Sequence, residues 1–335
     1  MARILVTGAA GFIGARLVEE LLNKTDHEIV TLDRLDTSGT YERLAHILEA
    51  NPEHKKRLTI VWHDLKAELN DRVRAQIGTV QQILHLAAGS HIDRSIEDPL
   101  SFVMDNVVGT CNLLNYARLY CKELSWFLYF STDEVFGTAP EGVRYKEWDR
   151  YNSGNPYSAS KAGAEELCLA FANTYSMPIN ITHTMNVFGA RQHPEKYIPL
   201  CIRKTLAAEE IFVHADPTCT KAGSRFYISV DDVVEAVLFL MSRYTSLESG
   251  DKFNIVGSQE IDNLTLAQMI ANMQNVPLKA KLVDFHSSRT GHDLRYALCG
   301  EKMSEMGWSP KRIGDRLLEV IEWYNKPENK HWLEV

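Results

Sequence analysis

The sequence predicts an α/β protein: a Rossmann-type, doubly wound parallel sheet with a smaller C-terminal α/β substrate-binding region. Three observations carry that expectation. Short apolar runs alternate with helical patterns through the first half of the chain, which is how a parallel sheet covered on both faces reads. A turn with glycines at 8, 11 and 14 closes the first run and opens the first helix. Beyond Met185 the rhythm changes, and irregular loops such as 216–224 separate shorter segments. The expected division is residues 1–184 for a dinucleotide-binding domain that also carries the catalytic groups. Residues 185–326 should form mainly the substrate region, partly interleaved with the first.

The elements follow in order. Residues 3–7 are a strand closed by Gly8. Residues 11–22 read as a helix, with Phe12, Ala15, Leu17, Val18, Leu21 and Leu22 against the core and Arg16, Glu19 and Glu20 outside. Strands are expected at 28–32, 58–62, 82–86, 126–130 and 179–183, and helices at 41–50, 65–76, 99–120 and 156–175. Crossovers between parallel strands should be right-handed. In the second half, helical patterns recur at 197–208, 230–241, 265–273 and 315–324. The residues after Lys326 read as a polar tail.

Composition narrows the class. The chain has 335 residues, a formal charge of -8, 45% hydrophobic and 24% charged residues, an ordinary globular balance. No apolar run approaches the ~18 residues of a membrane span, and net acidity gives no basis for nucleic-acid binding. Met-Ala-Arg runs directly into a strand, without the pattern of a secretory signal, so a cytoplasmic location is expected. None of the six cysteines forms C-x-x-C. They read as free thiols, and no metal site is expected.

The glycine turn has the context that gives such a motif meaning. Gly8, Gly11 and Gly14, with Phe12 and Ile13, sit between a strand and a helix. Glycine there allows a tight turn and close approach of a pyrophosphate, whose charge the helix N–H groups receive. Asp33 ends the second strand, where a carboxylate can accept from both ribose hydroxyls and repel a 2′-phosphate. That favours NAD; Arg34, next in sequence, works against the preference. Asp64 and Leu65 follow the third strand and could meet the adenine. Leu86, Ala87 and Ala88 end the fourth, where small residues would let the cofactor cross the sheet edge.

Catalytic groups are expected at the end of the fifth strand and the start of the next helix. Ser131-Thr132-Asp133-Glu134 places two hydroxyls and two acids at a strand's C-terminal end, the edge where open parallel sheets bind ligands. Tyr157 and Lys161 share a helix face at i, i+4. An ammonium beside a phenol lowers the phenol's pKa and makes it a base for an alcohol.

On these residues the chain resembles the extended short-chain dehydrogenase/reductases, and within them the nucleotide-sugar 4,6-dehydratases. The resemblance runs over nearly the whole chain. It is carried by Thr7-Gly8-x-x-Gly11-Phe12-Ile13-Gly14 and Leu86-Ala87-Ala88-Gly89-Ser90-His91-Ile92-Asp93-Arg94-Ser95. Ser131 to Gly137, Asn155 to Ala162, His193 to Pro199 and Gly291 to Ala297 extend it. It implies C4 oxidation of a hexose, loss of water across C5 and C6, and hydride return to C6, with NAD regenerated. Tyr157 would be the C4-hydroxyl base, Glu134 the C5 base, Asp133 the acid at C6 and Thr132 the partner of the C4 oxygen. It further implies cofactor contacts from Ser90 and Asn106, and substrate contacts from Ser90, His91, Thr132, Asn186, Lys196, Tyr197, Arg225, Asn254, Arg289 and His292. A homodimer through the helices at 99–120 and 156–175 is implied as well.

The chain departs from the family at four places. Gly89 stands where the dTDP-sugar members typically carry Glu. Asp105 stands where Thr is usual, and Val187 where a second Asn is. The loop before Arg225 is longer and differently composed. These leave the reaction class intact but open the nucleotide, dTDP, UDP or another, and the sugar, glucose or an N-acetylated or other hexose. The rival readings are a 4-epimerase or decarboxylase on the same fold, which usually lacks the acid pair, and a non-catalytic dinucleotide sensor, which would not need Tyr157 and Lys161.

Overall fold

The computed structural model describes residues 1–36, 38–284 and 294–334. The chain forms two compact units. The first comprises Met1–Val135, Asn155–His183 and Val237–Phe253; the second comprises Phe136–Gly154, Thr184–Ala236 and Asn254–Val335. Residues 136–154 and 237–253 thus lie on the opposite side of a linear boundary near residue 184.

The frame of the first unit is a seven-stranded sheet. Its strands are β1 (Arg3–Thr7), β2 (Glu28–Asp33), β3 (Leu58–Trp62), β4 (Gln82–His85), β5 (Trp126–Thr132), β6 (Ile179–Thr184) and a last strand, Lys252–Ile255. From one edge the order is β3-β2-β1-β4-β5-β6 and then the last strand. Neighbours from β3 to β5 are parallel, with Leu5 opposite Val30 and Ile83, and Leu84 opposite Leu128. The winding reverses between β1 and β4, the switch point at which doubly wound sheets bind ligands.

The helices are α1 (Phe12–Lys24), α2 (Tyr41–Ala50), α3 (Asp71–Ile77), α4 (Ile92–Glu97), α5 (Pro99–Phe102), α6 (Gly109–Tyr120) and α7 (Pro156–Tyr175). Leu5, Val30, Ile83, Leu113, Leu114, Phe127 and Ile181 are fully buried in the core they share with the sheet. Burying side chains of this size contributes ~1.5–3 kcal/mol each. Asn155 caps α7 in a reciprocal box with Ser158, and Pro156 occupies its first turn, where a missing N–H costs nothing.

Three expectations change. The helix read at 65–76 begins only at Asp71, because Asn70 caps it through a bond from the Val73 N–H. Leu65 and Leu69 are buried in the core without being helical. The helix read at 99–120 is broken: Val103–Val108 is π-helical between α5 and α6. The tail read as polar forms a 3-10 turn, Pro327–Leu333, that buries Trp332 and Leu333 beside Tyr324.

In the second unit the paired strands are Val187–Phe188 with Ile228–Ser229 (parallel), Ser224–Arg225 with Ile261–Asp262 (antiparallel) and Ile211–Ala215 with Ala280–Asp284 (parallel). Helices Tyr197–Leu206, Asn263–Met273 and Ile313–Asn325 bury Ile198, Ile202, Leu266, Ile270, Leu317 and Ile321 in a core of their own. A buried guanidinium anchors the last of these helices: Arg316 donates to Asp232 at 2.6 and 3.0 Å.

Candidate active site

The site in the first unit is built from the glycine turn upward. Gly8 has φ +69, and a Cβ there would stand 2.7 Å from the Ala87 nitrogen; a Cβ on Gly14 would collide with the Gly8 carbonyl. The turn therefore lies hard against the loop after β4. Gly11 is the N-cap of α1 and gives no side-chain cap bond, so the first-turn N–H groups, those of Phe12, Ile13 and Gly14 among them, stay available to an anion. Asp33 is fixed beside this turn: its Oδ2 accepts the Ala10 N–H at 2.9 Å and its Oδ1 the Leu35 N–H at 3.0 Å. Each oxygen keeps a further lone pair for a ribose hydroxyl. The glycine cradle, the uncapped helix start and the oriented carboxylate fit a dinucleotide.

The other expected cofactor residues divide. Burial opposes ionisation of Asp64, but the Lys66 backbone N–H and the charges of Arg34 and Lys66 outweigh it and hold the carboxyl below its usual range. The side chain of Leu65 belongs to the core. The Ala87 N–H donates to Thr7 Oγ1 at 3.2 Å. Asn106 is spent on the scaffold: it accepts the Gly89 N–H at 2.7 Å and donates to the Gly89 carbonyl at 3.1 Å and to Ser160 Oγ at 2.8 Å. Its part in the site is to fix the loop after β4. Ser90 is exposed, and His91 caps α4.

At the end of β5, Thr132 Oγ1 donates to Asp133 Oδ1 at 3.0 Å and accepts the Glu134 N–H at 3.4 Å. Asp133 is 3% exposed, which excludes a solvated loop. Tyr157 is buried, its backbone N–H donating to Ser95 Oγ at 3.1 Å, with its hydroxyl hydrogen-bonded to Thr132. Thus Thr132, Asp133, Glu134 and Tyr157 converge as the sequence implied.

The electrostatics correct one expectation. The Tyr157 phenol is pushed up, not down: burial and the Glu134 charge, with Asp133 adding, outweigh the bond from Thr132. The Lys161 ammonium instead donates to the Phe130 carbonyl at 2.6 Å and lies 4.3 Å over the Tyr129 ring. Burial lowers its own pKa to about 8, against the pull of Glu165.

Glu165 belongs to a group that the sequence reading missed. Fully buried one turn beyond Lys161, it accepts from Ser131 Oγ and from His183 at 3.0 Å, with Lys252 Nζ at 3.6 Å. Burial opposes its ionisation, but the charge and hydrogen bond of His183, then Lys252 and Ser131, hold it below the usual carboxylate range. The available signal was an acid four residues after Lys161 on the same helix face.

In the second unit the implied substrate residues are mixed. Lys196 is exposed at the start of its helix. Asn186 is half-buried. The Tyr197 hydroxyl donates to the Asn263 carbonyl at 2.7 Å. Arg225 donates to the Ser224 and Leu294 carbonyls and lies 4.5 Å over the Tyr296 ring. Asn254, expected to contact substrate, is fully buried and donates to the Tyr145 and Cys299 carbonyls at 3.0 and 3.1 Å, so its amide ties loops together. Arg289 and His292 lie outside the described residues. Among the described residues no cluster of His, Cys, Asp and Glu could hold a metal ion.

Fold and site define an NAD-dependent enzyme of the extended short-chain dehydrogenase/reductase class. Residues 5–320 match the family model described as GDP-mannose 4,6 dehydratase. The chain belongs to this family of nucleotide-sugar 4,6-dehydratases, which are hydro-lyases. It is 34% identical to the dTDP-glucose 4,6-dehydratase of Xanthomonas campestris, over 100% of this chain and 95% of that one. A dTDP-glucose 4,6-dehydratase from Streptomyces venezuelae, solved with NAD bound, is 32% identical and superposes with a TM-score of 0.85, covering 99% of each chain. The UDP-glucose 4-epimerase of Thermus thermophilus, solved with NAD, is 26% identical with a TM-score of 0.84, covering 97% of this chain and 99% of that one. The frame alone therefore does not separate dehydratase from epimerase.

Proposed function

We propose that the chain dehydrates dTDP-glucose or UDP-glucose to the corresponding 4-keto-6-deoxyhexose. The observation that carries the reading is the acid pair at the end of β5, buried Asp133 and half-buried Glu134, gathered with Thr132 around the Tyr157 phenol. An alcohol oxidation alone needs only the tyrosine, the lysine and a hydroxyl. Removing a C5 proton and expelling a C6 hydroxyl as water needs one more base and one more acid. Bound NAD supplies the hydride acceptor for C4 and the donor for C6. Tyr157 as phenolate would take the C4-hydroxyl proton, which requires the positive charges of Lys161 and of a bound oxidised nicotinamide to offset the burial and acid charges that raise it; Thr132 would hold the C4 oxygen, Glu134 take the C5 proton and Asp133 give a proton to the departing C6 oxygen.

Purified protein mixed in turn with dTDP-glucose, UDP-glucose, GDP-mannose and UDP-N-acetylglucosamine, with products read by mass spectrometry, tests this. Loss of one water from dTDP-glucose or UDP-glucose is expected, dTDP-glucose first in view of the Xanthomonas and Streptomyces relatives. Isomer exchange without mass change would overturn the reading in favour of a 4-epimerase.

The same reading includes a cytoplasmic homodimer. Leu100, Val103, Tyr120 and Tyr175 are 68%, 41%, 51% and 47% exposed on the segments expected at the interface, whereas Leu113 and Leu114 are core. The six cysteines are free thiols, which suits a reducing compartment. Among the described residues no helix is long and apolar enough to cross a membrane. A gel-filtration mass of one chain would overturn the dimer.

A further inference from the structure

We propose that Asp105 sets the preference for NAD over NADP by keeping the Arg34 guanidinium occupied. The inference rests on the dinucleotide site and is independent of which sugar is bound. At the end of the second strand of such a site, a carboxylate accepts from the ribose hydroxyls, while an arginine nearby accommodates a 2′-phosphate. This chain carries both side by side, Asp33 and Arg34. Asp33 is oriented by two backbone N–H groups, so the outcome turns on what Arg34 is free to do.

Arg34 is bound on every side. Its Nε and Nη2 donate to Asp36 Oδ2 at 3.1 and 2.7 Å. Its Nη1 and Nη2 donate to Asp105 Oδ1 and Oδ2 at 2.5 and 2.8 Å, a bidentate pair across 71 residues of sequence. Nη1 also lies 3.5 Å from Asp64 Oδ2. The partners are unequal. Asp36 and Asp64 have side chains 38% exposed, whereas that of Asp105 is 7% exposed. Exposed pairs are weak and exchangeable; a shielded two-point pair is neither.

The anchor is itself fixed. Asp105 stands in the π-helical segment Val103–Val108, next to Asn106, whose amide binds Gly89 and Ser160. A Cβ on Gly89 would lie 3.3 Å from Asp105 Oδ2 and 3.2 Å from the Phe102 ring. The two departures, glycine at 89 and aspartate at 105, are thus one feature: the absent side chain leaves room for the carboxylate. A 2′-phosphate entering here meets Asp33, Asp36, Asp64 and Asp105; of the cations beside it among the described residues, Arg43 is turned onto the Ala10 and Ser38 carbonyls, Lys66 lies on Asp64 and Asp105, and Arg34 has no N–H pair to turn toward it.

The test is retention of dinucleotide by full-length protein exchanged against equimolar NAD and NADP, desalted, and read by mass spectrometry of the released cofactor. Wild type should retain NAD only. Asp33→Ala should weaken NAD retention and gain no NADP, because Arg34 remains held. Asp33→Ala with Asp105→Asn should raise the NADP-to-NAD ratio about ten-fold or more over Asp33→Ala, the scale of one shielded ion pair. Adding Arg34→Gln should abolish that gain. Asp33→Ala with Gly89→Ala reaches the same end without touching a charge, by crowding Asp105, and should gain NADP as well. Equal ratios, within about two-fold, in Asp33→Ala and both double variants, each with a wild-type thermal midpoint, would overturn the proposal. Failure of wild type to retain either dinucleotide would instead overturn the cofactor site itself.

Discussion

The two ends of the cofactor edge use charge in opposite ways. At the adenosine end, Arg34, Asp36, Asp64 and Lys66 are partly exposed and share partners. Outside the shielded Arg34–Asp105 pair, removing one of these charges leaves water to take its place, so they can select between ligands at little cost to the fold. At the catalytic end, Asp133, Tyr157, Lys161 and Glu165 are buried, and each charge has designated neighbours. There burial and neighbouring charge change what a group can do: burial, with Glu134 and Asp133, pushes Tyr157 up, and burial pushes Lys161 down to about 8. A partly exposed network held by one shielded pair discriminates, whereas a fully buried one sets proton affinities. Damage should accordingly be far larger at the catalytic end.

The sharpest break is at Tyr157. Tyr157→Phe keeps the ring against Phe102 and removes the base, so turnover should fall by on the order of 10²–10⁴-fold with little change in melting temperature. Glu134→Gln separates the steps: product formation should stop while absorbance of reduced cofactor rises on substrate addition. Normal turnover by that variant would refute the role given to Glu134. Glu165→Gln comes next. It leaves Lys252 buried without its counter-charge and His183 without its carboxylate partner, which costs about 3–5 kcal/mol in denaturant unfolding. It also removes the charge that raises Lys161, so the lysine should titrate below about 8. The alkaline limb of kcat/KM then moves to lower pH, a shift that loss of packing alone would not produce.

The difference between the ends also explains what the sequence could disclose. The glycine turn, Asp33 and the Tyr157–Lys161 spacing are local signals, in which neighbours along the chain are neighbours in space. The acid pair was legible because both acids sit at one strand end. Glu165 follows Lys161 at i, i+4, but His183 and Lys252 meet it only through the packing of α7 on β6 and the last sheet strand, so no spacing discloses the cluster. The 65–76 pattern misled because Leu65, Leu69, Val73 and Ile77 repeat at helical intervals while Asn70 starts the helix late. Asn254 misled for the converse reason: a polar side chain at a substrate-matching position proved to be a buried tie.

A last contrast is a matter of pH and not of turnover. His85, at the end of β4, is fully buried between Thr7 Oγ1 at 2.7 Å and Thr110 Oγ1 at 3.0 Å. Burial, with the nearby Lys161 charge, lowers its pKa to about 3, against 6.5 in an unfolded chain. Between those values the unfolded state binds a proton that the folded state refuses. Stability from this group is therefore complete above about 6.5 and falls as pH drops toward 3. At pH 5 the loss is about 2 kcal/mol relative to pH 7. His85→Gln should be less stable at pH 7, because one hydroxyl loses its partner, but it should lack this part of the acid sensitivity. Urea unfolding at pH 7 and pH 5 measures the difference directly. An equal drop in both proteins would mean that His85 accepts a proton in the folded state and that the catalytic end tolerates a second cation beside Lys161.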